Sequence, residues 1–193
     1  AAFGAGMSMD QAAAFANIAA GVVIGKIGTQ AIQQVELKQS LSHGSLALEN
    51  KIVSKNYARD RLAHWRSNGC RIVFTNGCFD ILHVGHIKLL HAAAKEGDKL
   101  IVGLNSDNSV RHLKGEQRPI IPEEERAALL SNIKGVDLVV LFDQSTPIEL
   151  IQAFTPDVIV KGGDYTPETV VGHEIVQAYG GKVVVVPLVQ GVS

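Results

Sequence analysis

The chain has 193 residues, 46% hydrophobic and 19% charged, with a net charge of −1 at pH 7. That length supports one full domain with an appendage and a sizeable core, while the near-zero charge excludes a general nucleic-acid or membrane surface, so any anion site must be local. Two cysteines, Cys70 and Cys78, are too few and too ill-spaced for a disulfide framework or a cysteine zinc site, which points to a reducing compartment, the cytoplasm.

From the N-terminus, Ala12 to Ile24 is nearly all apolar but contains Asn17 and lacks a basic leader. It falls short of the roughly 20 apolar residues a membrane span needs. Ser8 followed by Gln11 fits a capping box, so a buried helix is expected there. Between Gln30 and Asn56 the chain turns polar, with Gln33, Gln34, Gln39, Ser40, Ser42 and Ser45, and reads as a linker over 33–54. Helical spacing returns at Tyr57, Ala58, Leu62 and Trp65, and Gly69 ends it.

Five strand-like runs follow: Arg71 to Thr75, Leu100 to Leu104, Leu138 to Phe142, Val158 to Val160 and Lys182 to Val186. Their near-continuous Val, Ile and Leu content implies burial on both faces, as in a parallel sheet. Helices are expected between them, starting near His86, Pro122, Pro147 and Pro167, with proline suited to a first helical turn. The pattern predicts an α/β fold with a doubly wound parallel sheet and an N-terminal helical appendage, whose ligands sit at the carboxyl ends of the strands. Asn76 to His86, then Asn105 and Asp107, then Lys161 to Asp164 all follow strand ends and converge on one rim.

Within FTNGCFDILHVGHIKLL, Phe74 to Leu90, two histidines, His83 and His86, lie one helical turn apart just after a strand. A helix N-terminus offers unpaired N–H groups and a positive dipole end, and Gly77 and Gly85 allow a bulky anion to approach the backbone. Imidazoles placed there can donate to phosphate oxygens, so the segment reads as a triphosphate site. A zinc-hydrolase reading of His83, His86 and His91 lacks the HExxH arrangement.

Gly77, Phe79, Asp80, His83, Gly85 and His86 spell G-x-F-D-x-x-H-x-G-H, which resembles the signature of the HxGH nucleotidylyltransferase superfamily. LKGEQRP (113–119), EEERAALLSNIKGVDLVV (123–140), VKGGDY (160–165) and PLVQGVS (187–193) further resemble the adenylyltransferase domain of bifunctional heptose-phosphate kinase/adenylyltransferases. The resemblance implies a Rossmann-like nucleotidylyltransferase domain over 55–193 and AMP transfer from ATP to D-glycero-β-D-manno-heptose 1-phosphate, giving ADP-heptose for lipopolysaccharide. It implies His83 and His86 on the phosphates and the backbone of Asn76, Gly77, Cys78 and Phe79 beside the nucleotide. Lys114 and Arg118, in a glycine-containing loop, would fold over the phosphates, with Lys88 near His86 and Arg126 in support of the nucleotide site. Asp107 would hold the ribose or cap a helix, and Asn105 belongs to the same rim. Lys161 suits the acceptor phosphate, Asp164 a sugar hydroxyl or Lys161 itself, and Asp80 either the acceptor or the brace of its loop. Mg²⁺ is expected with ATP, bound through phosphates and water, and no residue is assigned as a metal ligand.

The octet from His83 to Leu90 is shared with glycerol-phosphate cytidylyltransferases, so cytidylyl transfer to glycerol 3-phosphate is the alternative. Leu188 stands where that sister family has arginine, which with KGGDY favours ATP and the heptose. Residues 1–32 resemble the last helices of a ribokinase-like sugar-kinase domain, without its catalytic loop, so a kinase partner is expected in a longer protein and kinase activity is not expected here. The apolar leader offers a homodimer contact. In the family the segment through Ser193 continues with threonines that bind triphosphate, so a chain ending there is expected to turn over slowly, and a non-catalytic assembly role is the further alternative.

Overall fold

A computed structural model describes residues 51–187. The expected leader helix, the 33–50 part of the linker and Leu188 to Ser193, including the candidate Ser193, lie outside the described residues.

Helix α1 (Lys55–Ser67) begins at Ser54, whose hydroxyl accepts from the Tyr57 N–H, and buries Ala58, Leu62 and Trp65. Then come β1 (Ile72–Gly77), α2 (Val84–Ala94), β2 (Lys99–Asn105), α3 (Asp107–Lys114), α4 (Glu123–Ser131), β3 (Leu138–Phe142), α5 (Ile148–Phe154), β4 (Val158–Gly162), a 3₁₀ turn (Pro167–Thr169), α6 (His173–Ala178) and β5 (Lys182–Val186). The five strands form one sheet in the order β3-β2-β1-β4-β5, and every pairing is parallel. The doubly wound sheet expected from the sequence is therefore observed. Connection order reverses between β1 and β4, which makes their carboxyl ends the switch point where a crevice opens.

Each strand is apolar on both sides because helices cover both sides. One cluster joins Phe74, Ile101 and Val140 to α1, α5 and α6; the other joins Val73, Val102 and Val139 to α2 and α4. At the amino end of the sheet, aspartates that precede strands accept from neighbouring strands: Asp98 from the Arg71 N–H, Asp157 from Ile72 and Asp137 from Leu100, at 2.7, 2.7 and 2.9 Å. Lys51 to Val53, inside the segment read as linker, run along β3: the Val139 N–H donates to Lys51 O and the Val53 N–H to Val139 O.

Some boundaries differ from expectation. Asn76 and Gly77 do not end β1, because they pair with Gly103 and Leu104 of β2. Helix α2 starts before His86, since His83 caps it. Lys114, expected in a loop, is the last residue of α3, whose short polar sequence DNSVRHLK gave no apolar period; Gly115, at φ +97°, then turns the chain. Pro167 opens only a 3₁₀ turn, and the helix waits until His173, after Gly172 at φ +90°. A side chain at Gly172 would meet Ile151 Cδ1 at 2.5 Å, so the turn lies close on α5. Among the described residues, no helix is long and apolar enough to cross a membrane.

Candidate active site

A crevice of about 780 Å³ opens over the carboxyl ends of β1, β2 and β4. His83 is the N-cap of α2, and its Nδ1 accepts from the Gly85 N–H at 3.1 Å. His86 Nδ1 accepts from the His83 N–H at 3.3 Å. With both Nδ1 atoms accepting, each neutral ring carries its proton on Nε2, which makes Nε2–H the donor left for a ligand. The rings stack with centroids 3.8 Å apart, and the Phe79 ring meets His86 edge-on at 5.2 Å.

The glycines of the motif now have a reason. A Cβ on Gly85 would lie 2.9 Å from the His83 ring, and one on Gly77 would lie 3.1 Å from the Phe79 ring. Phe79 itself sits at φ +46°, a conformation disfavoured for a bulky residue, and carries its ring from β1 to the underside of His86. Burial lowers the His86 pKa, and the charges of His83 and Lys114 add to that, bringing it to about 4. His86 is thus an uncharged donor at neutral pH.

Lys88, Lys114, Arg118 and Lys161 line the crevice, whereas Asp80 is its one carboxylate among the described residues. That carboxylate is already satisfied. Its Oδ2 accepts from Arg118 Nη1 at 2.7 Å, and its Oδ1 from the N–H groups of Ile120 at 2.7 Å and Ile121 at 3.3 Å. Burial alone would raise the Asp80 pKa, but those donors outweigh it and hold the group below its usual value. Lys161, at the end of β4, crosses the switch point to Asn76, donating to its backbone and side-chain oxygens, both at 3.3 Å. Both acceptors are neutral, and burial lowers the lysine's pKa against the opposing effect of Cys78. A half-buried ammonium without a carboxylate is a site prepared for an anion.

Residues 74–190 match the model of the cytidylyltransferase-like family. The chain belongs to that family. It is 51% identical over 97% of its length to the bifunctional protein HldE of Syntrophotalea carbinolica, and 53% identical over 98% to the bifunctional protein HldE of Bradyrhizobium diazoefficiens. It spans only 38% and 39% of those relatives' own length. The crystal structure of the lipopolysaccharide core biosynthesis protein from Thermoplasma volcanium is 32% identical, with a TM-score of 0.50, and the match covers 63% of this chain and 98% of that one. The chain is accordingly a nucleotidyltransferase by class, on the fold its strand pattern predicts.

Within this cytidylyltransferase-like domain the expected residues divide into two groups. Asn76 to Asp80, His83, Gly85, His86, Lys88, Asn105, Lys114, Arg118 and Lys161 come together on the crevice wall. Arg126, expected in support of the nucleotide site, does not line the crevice but stands behind it: the side chain is fully buried and donates to the carbonyls of Cys78, Asn105 and Ile121 and to Asp107 Oδ1. Asp107 Oδ1 is therefore taken up by Arg126 at 2.7 Å and the residue is not part of the crevice lining, and Ser106 is the residue that caps α3. Asp164 is exposed and off the wall, because Gly163 at φ +136° turns the chain and carries Tyr165 to the crevice in its place. Asp80, expected to face the acceptor or brace its loop, has both oxygens committed to the brace.

Ser145, Thr146, Pro147, Tyr165 and Thr169 to Val171 also line the crevice, and sequence reading missed them. The available signal was positional: Ser145 to Pro147 follow β3 and Tyr165 to Val171 follow β4, on the same rim as the motifs. No group of three or more His, Cys, Asp and Glu among the described residues is placed to hold a metal.

Proposed function

We propose that the domain transfers AMP from ATP to D-glycero-β-D-manno-heptose 1-phosphate, releasing pyrophosphate and forming ADP-heptose. The observation that carries the reading is a neutral His86 stacked on His83, the Nε2 atoms of both left to a crevice lined by four cations, whose single carboxylate among the described residues is neutralised by Arg118. Such a surface suits a polyanion and repels little of it.

A phosphate oxygen of the acceptor attacks the α-phosphorus, the bond from that phosphorus to the bridging oxygen of the β-phosphate breaks, and pyrophosphate leaves. No covalent nucleophile is needed; alignment and neutralisation suffice. His83 and His86 donate to oxygens gaining charge at the α-phosphorus, and Lys114 and Arg118 hold the departing pyrophosphate, with Lys88 at the rim. Lys161 receives the acceptor phosphate. The backbone of Asn76 to Phe79 lies beside the nucleotide, and Arg126 fixes that backbone through Cys78 O. The described residues form no cage for a divalent ion, so Mg²⁺ is assigned to the substrate MgATP, where it would be held by phosphates and water and would neutralise phosphate charge.

The choice of ATP and a heptose rests on KGGDY, on Leu188 in place of the sister family's arginine, and on relatives about half identical over nearly the whole chain. Because those relatives are bifunctional by name and extend well beyond this chain, residues 1–32 read as the end of a sugar-kinase domain, 33–54 as its linker and the kinase as the partner in a longer cytoplasmic protein. The apolar leader is the proposed homodimer contact, which a monomeric sedimentation mass would rule out.

Pyrophosphate release with Mg²⁺ tests the reading, with ATP or CTP against heptose 1-phosphate or glycerol 3-phosphate. Release is expected only with ATP and the heptose, reduced roughly 10²- to 10³-fold in His86→Ala. Release with CTP and glycerol 3-phosphate would instead assign cytidylyl transfer.

A further inference from the structure

The crevice has two walls of different chemistry. The sheet sends α2 and α4 to one face and α1, α5 and α6 to the other. The wall built from the α2–α3 side holds His83, His86, Lys88, Lys114 and Arg118. The facing wall is built from the loop that enters α5 and the loop that leads to α6, and it contributes Ser145, Thr146 and Tyr165. Lys161 stands between the walls at the switch point.

Several hydroxyl groups near the crevice are occupied by structure, although Thr75 Oγ1, buried within β1, has no partner. Ser106 Oγ donates to Asp143, Ser109 Oγ to Gln144 O, and Thr169 Oγ1 to Thr166 O. Among the described residues, the hydroxyls of Ser145, Thr146 and Tyr165 make no hydrogen bond, although the backbone around them is fixed. The bonds from Ser106 and Ser109 anchor Asp143 and Gln144 just ahead of Ser145, and the Ser106 N–H to Phe142 O adds a third tie at 2.9 Å. The Tyr165 ring is placed by Gly163, where an added Cβ would meet it at 2.9 Å. A wall that is uncharged and rich in unused hydroxyls, beside an exposed aromatic face, suits a neutral polyhydroxylated group, whose hydroxyls need partners and whose C–H face needs an apolar surface.

We infer that Ser145, Thr146 and Tyr165 form the subsite for the carbohydrate part of the acceptor, with Lys161 holding its phosphate. The inference rests on the nucleotidyl-transfer reading above and adds the specificity residues to it. Acceptor discrimination then follows from geometry: glycerol 3-phosphate reaches Lys161 but leaves the hydroxyl wall unfilled, whereas a heptose fills it.

The test compares Thr146→Val, Tyr165→Phe and Tyr165→Ala with the unaltered chain. With MgATP, each single hydroxyl loss is expected to raise the KM for heptose 1-phosphate roughly 3- to 10-fold, the size of one hydrogen bond. Tyr165→Ala is expected to raise it roughly 10-fold or more, with the KM for ATP within roughly 2-fold and any glycerol 3-phosphate reaction equally insensitive. An unchanged heptose KM, or an equal rise in the ATP KM, would overturn the assignment. Calorimetric titration of heptose 1-phosphate onto the chain with a non-cleavable ATP analogue provides an arm that needs no turnover. Weaker binding by the variants supports the subsite even if the unaltered chain releases no pyrophosphate, and equal or absent binding overturns it. Failure of the transfer reading shows separately, as silence of the unaltered chain in the pyrophosphate assay.

Discussion

His86 Nδ1 already accepts a backbone N–H, so a proton added there would set two donors against each other, and the surrounding Phe79 and His83 rings supply no carboxylate to repay it. Geometry and burial therefore push its pKa the same way, to about 4. The unfolded chain, titrating near 6.5, binds more protons between those values, so this residue makes the fold less stable as pH falls from about 6.5 to about 4. A triphosphate alongside the ring reverses the balance by favouring the imidazolium. The ring resonances of His86 should titrate near pH 4 in the free protein and move upward with MgATP; a midpoint indifferent to nucleotide would remove His86 from the phosphate site. The pair itself was legible from the spacing of two histidines after a strand, because one helical turn sets their distance. Its tautomers were not, since they depend on which N–H each Nδ1 meets. The same limit hid the pairing of Asp80 with Arg118, residues 38 apart in sequence.

Strands were legible where β-branched residues fill both faces, and all five fell close to where the periodicity set them. Short polar helices were not: α3 carries its apolar contact mainly through Val110, too little to mark a period in DNSVRHLK. Besides the bonds of Ser106 and Ser109, one buried residue ties this element to the site. Arg126 joins the loop after β1 through Cys78 O, the end of β2 through Asn105 O, the approach to α4 through Ile121 O and the start of α3 through Asp107. Methionine at 126 would keep much of the volume but leave three carbonyls and a carboxylate without their donor. Arg126→Met is expected to cost about 3–5 kcal/mol, read as a lower urea midpoint at unchanged m-value. MgATP affinity should fall as well, because the Cys78 backbone loses its tether. A stable variant with full nucleotide affinity would show that the clamp does not position the site.

At the scale of the whole sheet, parallel order leaves two edges, and β3 forms one of them. An unpaired edge offers backbone donors and acceptors to any other chain. Here Lys51 to Val53 lie along it, with the Val139 N–H bonded to Lys51 O at 2.7 Å and the Val53 N–H to Val139 O at 3.0 Å. Ile52 and Val53 also pack against opposite core clusters, so the segment seals both faces as well as the edge. Composition alone placed these residues in a linker, since three residues are too few to show a period of two. Two truncations separate the alternatives: one beginning at Lys51, the other at Ser54, which keeps the cap of α1. The second loses two backbone hydrogen bonds, worth about 1–3 kcal/mol together, and about as much again in apolar burial. It should therefore melt several degrees lower and self-associate more readily at the same concentration. Equal melting temperatures for the two would mean that β3 needs no cover and that the domain begins at α1.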